Sequence, residues 1–192
     1  MELPPYVMRE LLPKSPVFMK DVIVLFDYQN KIVRLIVKSI KYKNNQGLRK
    51  RIAGYLYEEL IEASSEIALW SGKPPVILPM PMSKKEKRER GFNQTEELCR
   101  EINKLGGKQI ETYFNILKKI RETERQTKLS REKREENVKN SMVVPTGSVG
   151  TVRNRVCIVL DDVYTTGASL SEARRALLSA GASRIIGLFI TH

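Results

Sequence analysis

Short apolar runs alternate with longer stretches of helical spacing along the 192 residues of the chain. The runs at 76–80, 156–160 and 182–191 are rich in Val, Ile and Leu, which predicts strands buried on both faces, as in a parallel sheet. Residues 21–28 predict a further strand, and 113–120 a strand or strand edge. These runs provide the strands of a predicted α/β fold.

Helices are predicted between the strands from apolar residues three and four positions apart. The predicted helices span 30–42, 48–67, a stretch from Asn93 to Leu105, and a stretch from Leu170 to Leu178. Asn30 and Asn93 are suited to cap two of them, and residues 44–47 predict a turn. Residues 1–20 contain four prolines and predict an extended arm, so the folded domain is placed at 21–192.

Composition and net charge limit where in the cell the protein is expected and which classes of molecule it is expected to bind. The net charge of +12 favours anionic partners, either phosphorylated small molecules or nucleic acid. No run approaches the length of a membrane span, and the first residues lack the order of a signal peptide, so we expect a cytoplasmic protein without membrane insertion. Cys99 and Cys157 are predicted to be small buried hydrophobes, and no zinc is expected.

The candidate chemistry lies between the strand at 156–160 and the helix that starts near Leu170. A turn at a helix N-terminus attracts phosphate, Gly167 permits close approach, and nearby hydroxyl groups can donate hydrogen bonds. Asp161 and Asp162 would repel a phosphate, so they are expected to face ribose hydroxyls or Mg²⁺. Neither a P-loop nor a dinucleotide fingerprint occurs. A ribose 5-phosphate site remains, and a plain strand-to-turn junction is the structural alternative.

Residues 159–169, V-L-D-D-V-Y-T-T-G-A-S, closely resemble the phosphoribosyl pyrophosphate (PRPP) motif of type I phosphoribosyltransferases. The resemblance implies that Asp161 and Asp162 act on the ribose hydroxyls and, mostly indirectly, on Mg²⁺ bound with PRPP. It also implies a phosphate-binding loop, which comprises Val163, Tyr164, Thr165, Thr166, Gly167, Ala168 and Ser169.

A narrower resemblance links the chain from about residue 20 onward to the ComF-type competence family. Residues 88–94 are similar to its R-x-R-G-F-N-Q signature, and Lys41 and Tyr42 fit its N-terminal helical region. A third stretch follows its L-x3-R-x-T-x2-Q-x2-L-x4-R-x2-N spacing, with Leu117, Arg121, Thr123, Gln126, Leu129, Arg134 and Asn137. Two departures are the missing four-cysteine zinc ribbon and the presence of Lys84 and Glu86 where Pro and Arg are usual.

The resemblance implies a parallel sheet of about five strands flanked by helices, with a small hood mainly from the N-terminal part. Arg121 and Arg134 would be catalytic residues of a flexible flap that neutralises departing pyrophosphate. The pyrophosphate side would be formed by Met82, Ser83, Lys84, Arg88 and Arg90. The other family positions are Gly91, Phe92, Asn93, Gln94, Thr123, Gln126 and Asn137.

Three functional hypotheses follow. The first is a ComF-like protein of DNA uptake that binds PRPP or a nucleotide, and the second is a nucleobase phosphoribosyltransferase of nucleotide salvage. The third is a non-catalytic PRPP sensor that binds single-stranded DNA. DNA-uptake proteins and a second copy of the chain are further candidate partners. Two predicted loops carry the cations expected to converge on one cleft, namely Lys84, Lys85, Lys87, Arg88 and Arg90 with Lys128, Arg131, Lys133 and Arg134.

Overall fold

The structure, a computed structural model, describes residues 17–106, 110–123 and 131–192, without the side chains of residues 17, 18, 131, 132, 134 and 135. Residues 1–16 of the predicted arm lie outside this description, and residues 17–19 form a strand. Gln126, Lys128 and Leu129 also lie outside it. Among the described residues, no helix combines the length and the apolar character needed to cross a bilayer.

Eight strands are described. In chain order they are β1 (Val17–Met19), β2 (Val22–Phe26), β3 (Val76–Pro79), β4 (Glu111–Thr112), β5 (Lys118–Lys119), β6 (Met142–Val143), β7 (Val156–Val163) and β8 (Arg184–Thr191). The main sheet has the order β1-β2-β8-β7-β3-β4, and β5 pairs with β6 separately. Every neighbouring pair from β2 to β4 is parallel, and only β1 runs antiparallel. The predicted parallel sheet of about five strands is therefore confirmed.

The helices are α1 (Lys31–Tyr42), α2 (Gln46–Ser71), α3 (Lys84–Arg90), α4 (Gln94–Leu105), α5 (Arg131–Val138), α6 (Val149–Val152) and α7 (Ala168–Ser179). The Asn30 side chain caps α1 by accepting from the amides of Ile32 and Val33, as predicted. The predicted turn at 44–47 is shorter than expected, because Asn45 caps α2 and Gln46 is already helical.

The main sheet is covered on both faces, which explains the unbroken apolar runs. One core packs β3, β7 and β8 against α1, α2 and α4, with Ile158 and Leu160 among its fully buried side chains. The second core packs the opposite face against α7, with Val159 and Leu177 buried. Cys99 and Cys157 are both buried and free, as predicted.

Two local predictions were wrong. The basic run expected in a loop at 84–90 forms helix α3, because Ser83 and Glu86 make a reciprocal capping box. The strand or strand edge expected at 113–120 is reduced to the two residues of β5, which a turn separates from β4. Asn115 in that turn has φ of 62°, a left-handed conformation that a strand cannot contain.

Candidate functional site

The carboxyl ends of β3 and β7 meet at one edge of the sheet, where open α/β folds bind ligands. Two adjoining cavities lie there, a larger one of about 440 Å³ and a smaller one of about 350 Å³. Their walls share four residues, which are Lys41, Asp161, Asp162 and Ser169. One elongated ligand could therefore occupy both cavities and pass the acidic pair.

The smaller cavity is built around the N-terminus of α7. The backbone amide of Ser171 donates to Gly167 O at 2.8 Å, so the amides of the first turn have no helical acceptor. Gly167 has φ of 77°, and a Cβ there would lie 2.9 Å from the Tyr164 hydroxyl. The amides of this first turn, the helix dipole and a glycine backbone form an arrangement suited to an anion.

The predicted loop residues largely line this cavity. Those on its wall are Val163, Tyr164, Thr165, Gly167, Ala168 and Ser169. Thr166 is not on the wall, and its Oγ1 accepts from the Ala168 amide at 3.5 Å. Tyr28, Leu170, Phe189 and His192 also line this cavity.

The acidic pair stands at the end of β7, where the two cavities meet. Asp162 is buried, with Oδ1 3.0 Å from Lys41 Nζ and Oδ2 accepting from Gln94 Nε2 at 2.7 Å. The Asp162 amide donates to Asp161 Oδ1 at 2.8 Å. Burial raises the pKa of Asp161 well above its ordinary value, and the adjacent Asp162 carboxylate raises it further.

Lys41 supplies the opposite charge from the last turn of α1. Burial alone would lower the pKa of Lys41, but the charge and hydrogen bond of Asp162 outweigh it, so the pKa is raised. Lys41 therefore carries its positive charge at the junction of the cavities. Its match to a family position was the only signal in the sequence for this contact.

The R-x-R-G-F-N-Q signature joins α3 to α4 and fastens both to the sheet. Gly91 ends α3 with φ of 82°, and the Asn93 side chain caps α4 while its Nδ2 donates to Met80 O at 3.1 Å. Gln94 Oε1 accepts from Arg90 Nη1 at 3.2 Å. Phe92 is half-buried. The conformation of this stretch thus places Gln94 against the acidic pair.

The expected pyrophosphate-side residues are only partly brought together. Met82 and Arg90 line the larger cavity, whereas Ser83 is buried as the cap of α3. Lys84 and Arg88 are exposed on α3 and are not among the residues of the cavity wall.

Lys119 of β5 also lines the larger cavity, although no pattern in the sequence indicated this position. Its Nζ lies 3.5 Å from Glu86 Oε2. Burial would raise the pKa of Glu86, but Lys119 and the hydrogen bonds with Ser83 outweigh it and lower the pKa. Lys119 thereby offsets the negative charge of Glu86. Glu86 is one of the two residues that differ from the usual ComF-type pattern.

The predicted flap is described only at its two ends. Arg121 is exposed, and its Nη2 donates to the carbonyl oxygens of Asn137 at 2.9 Å and Lys139 at 2.8 Å. Thr123 lines the larger cavity. Gln126 and the side chain of Arg134 lie outside the description, so the catalytic roles of Arg121 and Arg134 stay predictions.

The described side chains at this site offer few ligands for a metal ion. In ranges 17–106, 110–123 and 131–192, no group of three or more His, Cys, Asp or Glu side chains is arranged to hold a metal ion. Both Asp162 oxygens already bond Lys41 and Gln94. A Mg²⁺ ion at this site would therefore meet Asp161 and otherwise oxygens of the ligand and of water.

Comparison with known proteins identifies homologues. The chain is 27% identical over 165 residues to competence protein F of Haemophilus influenzae, covering 86% of this chain and 70% of that protein. It is 26% identical over 151 residues to the DNA utilization protein YhgH of Escherichia coli O157:H7, covering 79% of this chain and 63% of that protein. No protein-family model matches the chain.

Among solved structures, the chain aligns with a hypoxanthine phosphoribosyltransferase of Staphylococcus aureus. It is 11% identical with a TM-score of 0.44, and the alignment covers 95% of this chain and 69% of that one. The homologues named above confirm the resemblance to the ComF-type competence proteins.

Proposed function

We propose that this ComF-type chain acts in DNA uptake and binds PRPP or a nucleotide through its ribose 5-phosphate group. The observation that supports the proposal is the pair of adjoining cavities with the acidic pair at their junction. The proposal includes a cytoplasmic location, because uptake proteins that handle a phosphorylated ligand would meet it there.

The smaller cavity is suited to the 5-phosphate. The amides at the start of α7 and the left-handed Gly167 can surround an anion, and both lie on its wall. Backbone amides can bind the phosphate without a cationic side chain in the loop, because hydrogen bonds to an ionised acceptor are stronger than those between neutral groups.

The junction of the two cavities is suited to the ribose. The larger cavity is suited to the group attached to C1 of the ribose, such as the pyrophosphate of PRPP. Carboxylates accept from sugar hydroxyls. Arg90 on the wall of the larger cavity can pair with a pyrophosphate or a second phosphate, whereas Lys41 and Lys119 on the same wall already pair with Asp162 and Glu86. Mg²⁺, if it enters with PRPP, would be held mainly by ligand oxygens and by Asp161.

Ser169 offers a direct test, because it lies on the walls of both cavities. We expect Ser169→Ala to weaken PRPP binding by about tenfold or more, since a charge-assisted hydrogen bond contributes roughly 1.5–3 kcal/mol. Ser171→Ala, an exposed position on the same helix, is the matched control. Equal PRPP affinities of the two variants in calorimetric titration with Mg²⁺ would count against the proposal.

A nucleobase phosphoribosyltransferase is the enzymatic alternative. It needs the larger cavity to hold a base beside the departing pyrophosphate, and about 440 Å³ leaves room for both. The assay is pyrophosphate release from PRPP on addition of each nucleobase. Release with one base would support the enzyme, whereas PRPP binding without release would support the binding protein.

Binding of single-stranded DNA is favoured by the exposed cations of α3. Lys84, Lys85 and Arg88 are exposed beside the larger cavity, and no ion pair is described for their side chains within the described ranges. If they contact DNA, the logarithm of affinity should fall with the logarithm of salt by about 0.7 per phosphate contacted.

Replacing Lys84, Lys85 and Arg88 by Ala should then flatten the salt dependence in an anisotropy titration. The matched control replaces Lys20, Lys73 and Arg153, which are exposed just before parallel strands, at the opposite edge of the sheet. Absence of DNA binding by the unaltered protein at low salt would remove this function from the chain.

A further inference from the structure

The carboxylate of Asp162 is already engaged within the protein. Lys41 Nζ lies 3.0 Å from Oδ1, and Gln94 Nε2 donates to Oδ2 at 2.7 Å. The residue is 5% exposed. A sugar hydroxyl reaching Asp162 would have to compete with a buried ammonium group or with a short amide hydrogen bond.

Asp161 differs from Asp162 although the two are adjacent. It is half-buried and lies on the walls of both cavities. Its described hydrogen bond comes from the Asp162 backbone amide to Oδ1, and in the described part of the chain no side chain donates to it. Asp161 is therefore the carboxylate with acceptor capacity left for a ligand.

The partners of Asp162 belong to a closed ring of contacts between elements. Gln94 at the start of α4 accepts from Arg90 at the end of α3. The Arg90 guanidinium lies 5.4 Å from the centroid of the Tyr42 ring, and Tyr42 follows Lys41 at the end of α1. Through this ring, Asp162 connects α1, α3 and α4 to the end of β7.

We infer that the two carboxylates have different roles, with Asp161 facing the ligand and Asp162 acting as a positioning residue that fixes helix α1 to the sheet through Lys41. The ligand-facing role rests on the proposed ribose 5-phosphate ligand. The positioning role rests on contacts present without any ligand. Lys41 is then the residue through which the N-terminal helix and the sugar site are held in one geometry.

Calorimetric titration with ribose 5-phosphate and with inorganic phosphate separates the two roles. Asp161→Asn should lower the affinity for ribose 5-phosphate relative to that for inorganic phosphate by about tenfold or more, since it removes the sugar contact while the lost negative charge acts on both phosphates alike. Asp162→Asn should change the ratio of the two affinities by less than about threefold, because it moves the whole wall rather than removing a sugar contact. If Asp162→Asn lowers the affinity ratio by about tenfold or more, as expected for Asp161→Asn, the inference is overturned.

Thermal unfolding of the ligand-free protein tests the positioning role independently. Lys41→Met and Asp162→Asn should each lower the unfolding midpoint, and the double variant should unfold no earlier than the worse single variant, because the two residues form one contact. Asp21→Asn, which removes the ion pair with Arg184 at 2.6 Å outside both cavities, is the control that should add to either variant.

If Asp162→Asn does not fold, Gln94→Leu removes the other hydrogen bond to the same carboxylate. This variant should have a lower unfolding midpoint and an unchanged ratio of the affinities for ribose 5-phosphate and inorganic phosphate. Additive midpoint shifts for Lys41→Met and Asp162→Asn would overturn the positioning role whatever the protein binds. Failure of the unaltered protein to bind ribose 5-phosphate would instead overturn the proposed function and, with it, the ligand-facing role of Asp161.

Discussion

Gly167→Ala should weaken phosphate binding while leaving the fold intact. Gly167 has φ of 77°, which costs an L-residue about 1–2 kcal/mol. The added Cβ would also lie 2.9 Å from the Tyr164 hydroxyl. Tyr164 cannot move away freely, because its ring packs edge-on against Phe189 with centroids 4.9 Å apart. The added Cβ therefore displaces the loop backbone or the Tyr164 ring, and either change alters the wall of the smaller cavity.

Gly72→Ala is the matched control for backbone strain. Gly72 has φ of 72° at the end of α2, and a Cβ there would meet nothing within 4 Å. Both variants should lower the unfolding midpoint by about 2–8 °C, given roughly 2–4 °C per kcal/mol for a chain of this size. Only Gly167→Ala should lose affinity for ribose 5-phosphate, by about tenfold or more if one amide contact is lost.

Calorimetric titration of the two glycine variants, after calorimetric unfolding scans, provides the comparison. A well-folded Gly167→Ala protein that binds ribose 5-phosphate as tightly as Gly72→Ala would refute the reasoning, because the contact with Tyr164 would then have no effect on the loop.

Two further predictions concern stability and thiol chemistry. The Glu172 carboxylate is buried and accepts from the Met142 amide and from Arg175. Burial would raise its pKa, but these hydrogen bonds outweigh burial and lower the pKa. The stabilisation should be complete above the ordinary Glu pKa of about 4.3 and lost as the pH falls through the lowered value. Urea unfolding should show Glu172→Gln destabilised at pH 7 and nearly equal to the unaltered protein in acid, and a constant difference would contradict this. Burial raises the pKa of Cys157 to about 12 and raises the pKa of Cys99 as well. Neither thiol should therefore react with a disulfide reagent at pH 8 until urea unfolds the chain. Rapid labelling of the native protein would contradict this prediction.

The fold was largely predictable because its main signals are local. The apolar runs at β3, β7 and β8 are buried on both faces, so their length and composition directly reflect a parallel sheet. Helix α3 was missed because its residues are polar all round, and only the Ser83 and Glu86 capping pair indicated a helix.

The turn between β7 and α7 was predictable for the same reason, since it is one continuous stretch between a strand and a helix. The contacts of Lys41 and Lys119 were not, because each comes from a segment distant in the sequence. Lys41 reaches Asp162 across more than a hundred residues, and Lys119 reaches Glu86 from a strand that pairs outside the main sheet. Neither pairing leaves a local pattern in the chain.

The most direct test of the account is calorimetric titration of the unaltered protein with ribose 5-phosphate, and with ribose and inorganic phosphate separately. If the smaller cavity holds the phosphate and Asp161 the sugar, ribose 5-phosphate should bind more tightly than inorganic phosphate by about tenfold or more, and ribose alone should bind weakly. Binding of ribose 5-phosphate no tighter than that of inorganic phosphate would contradict the claim that the acidic pair and the phosphate loop form one site.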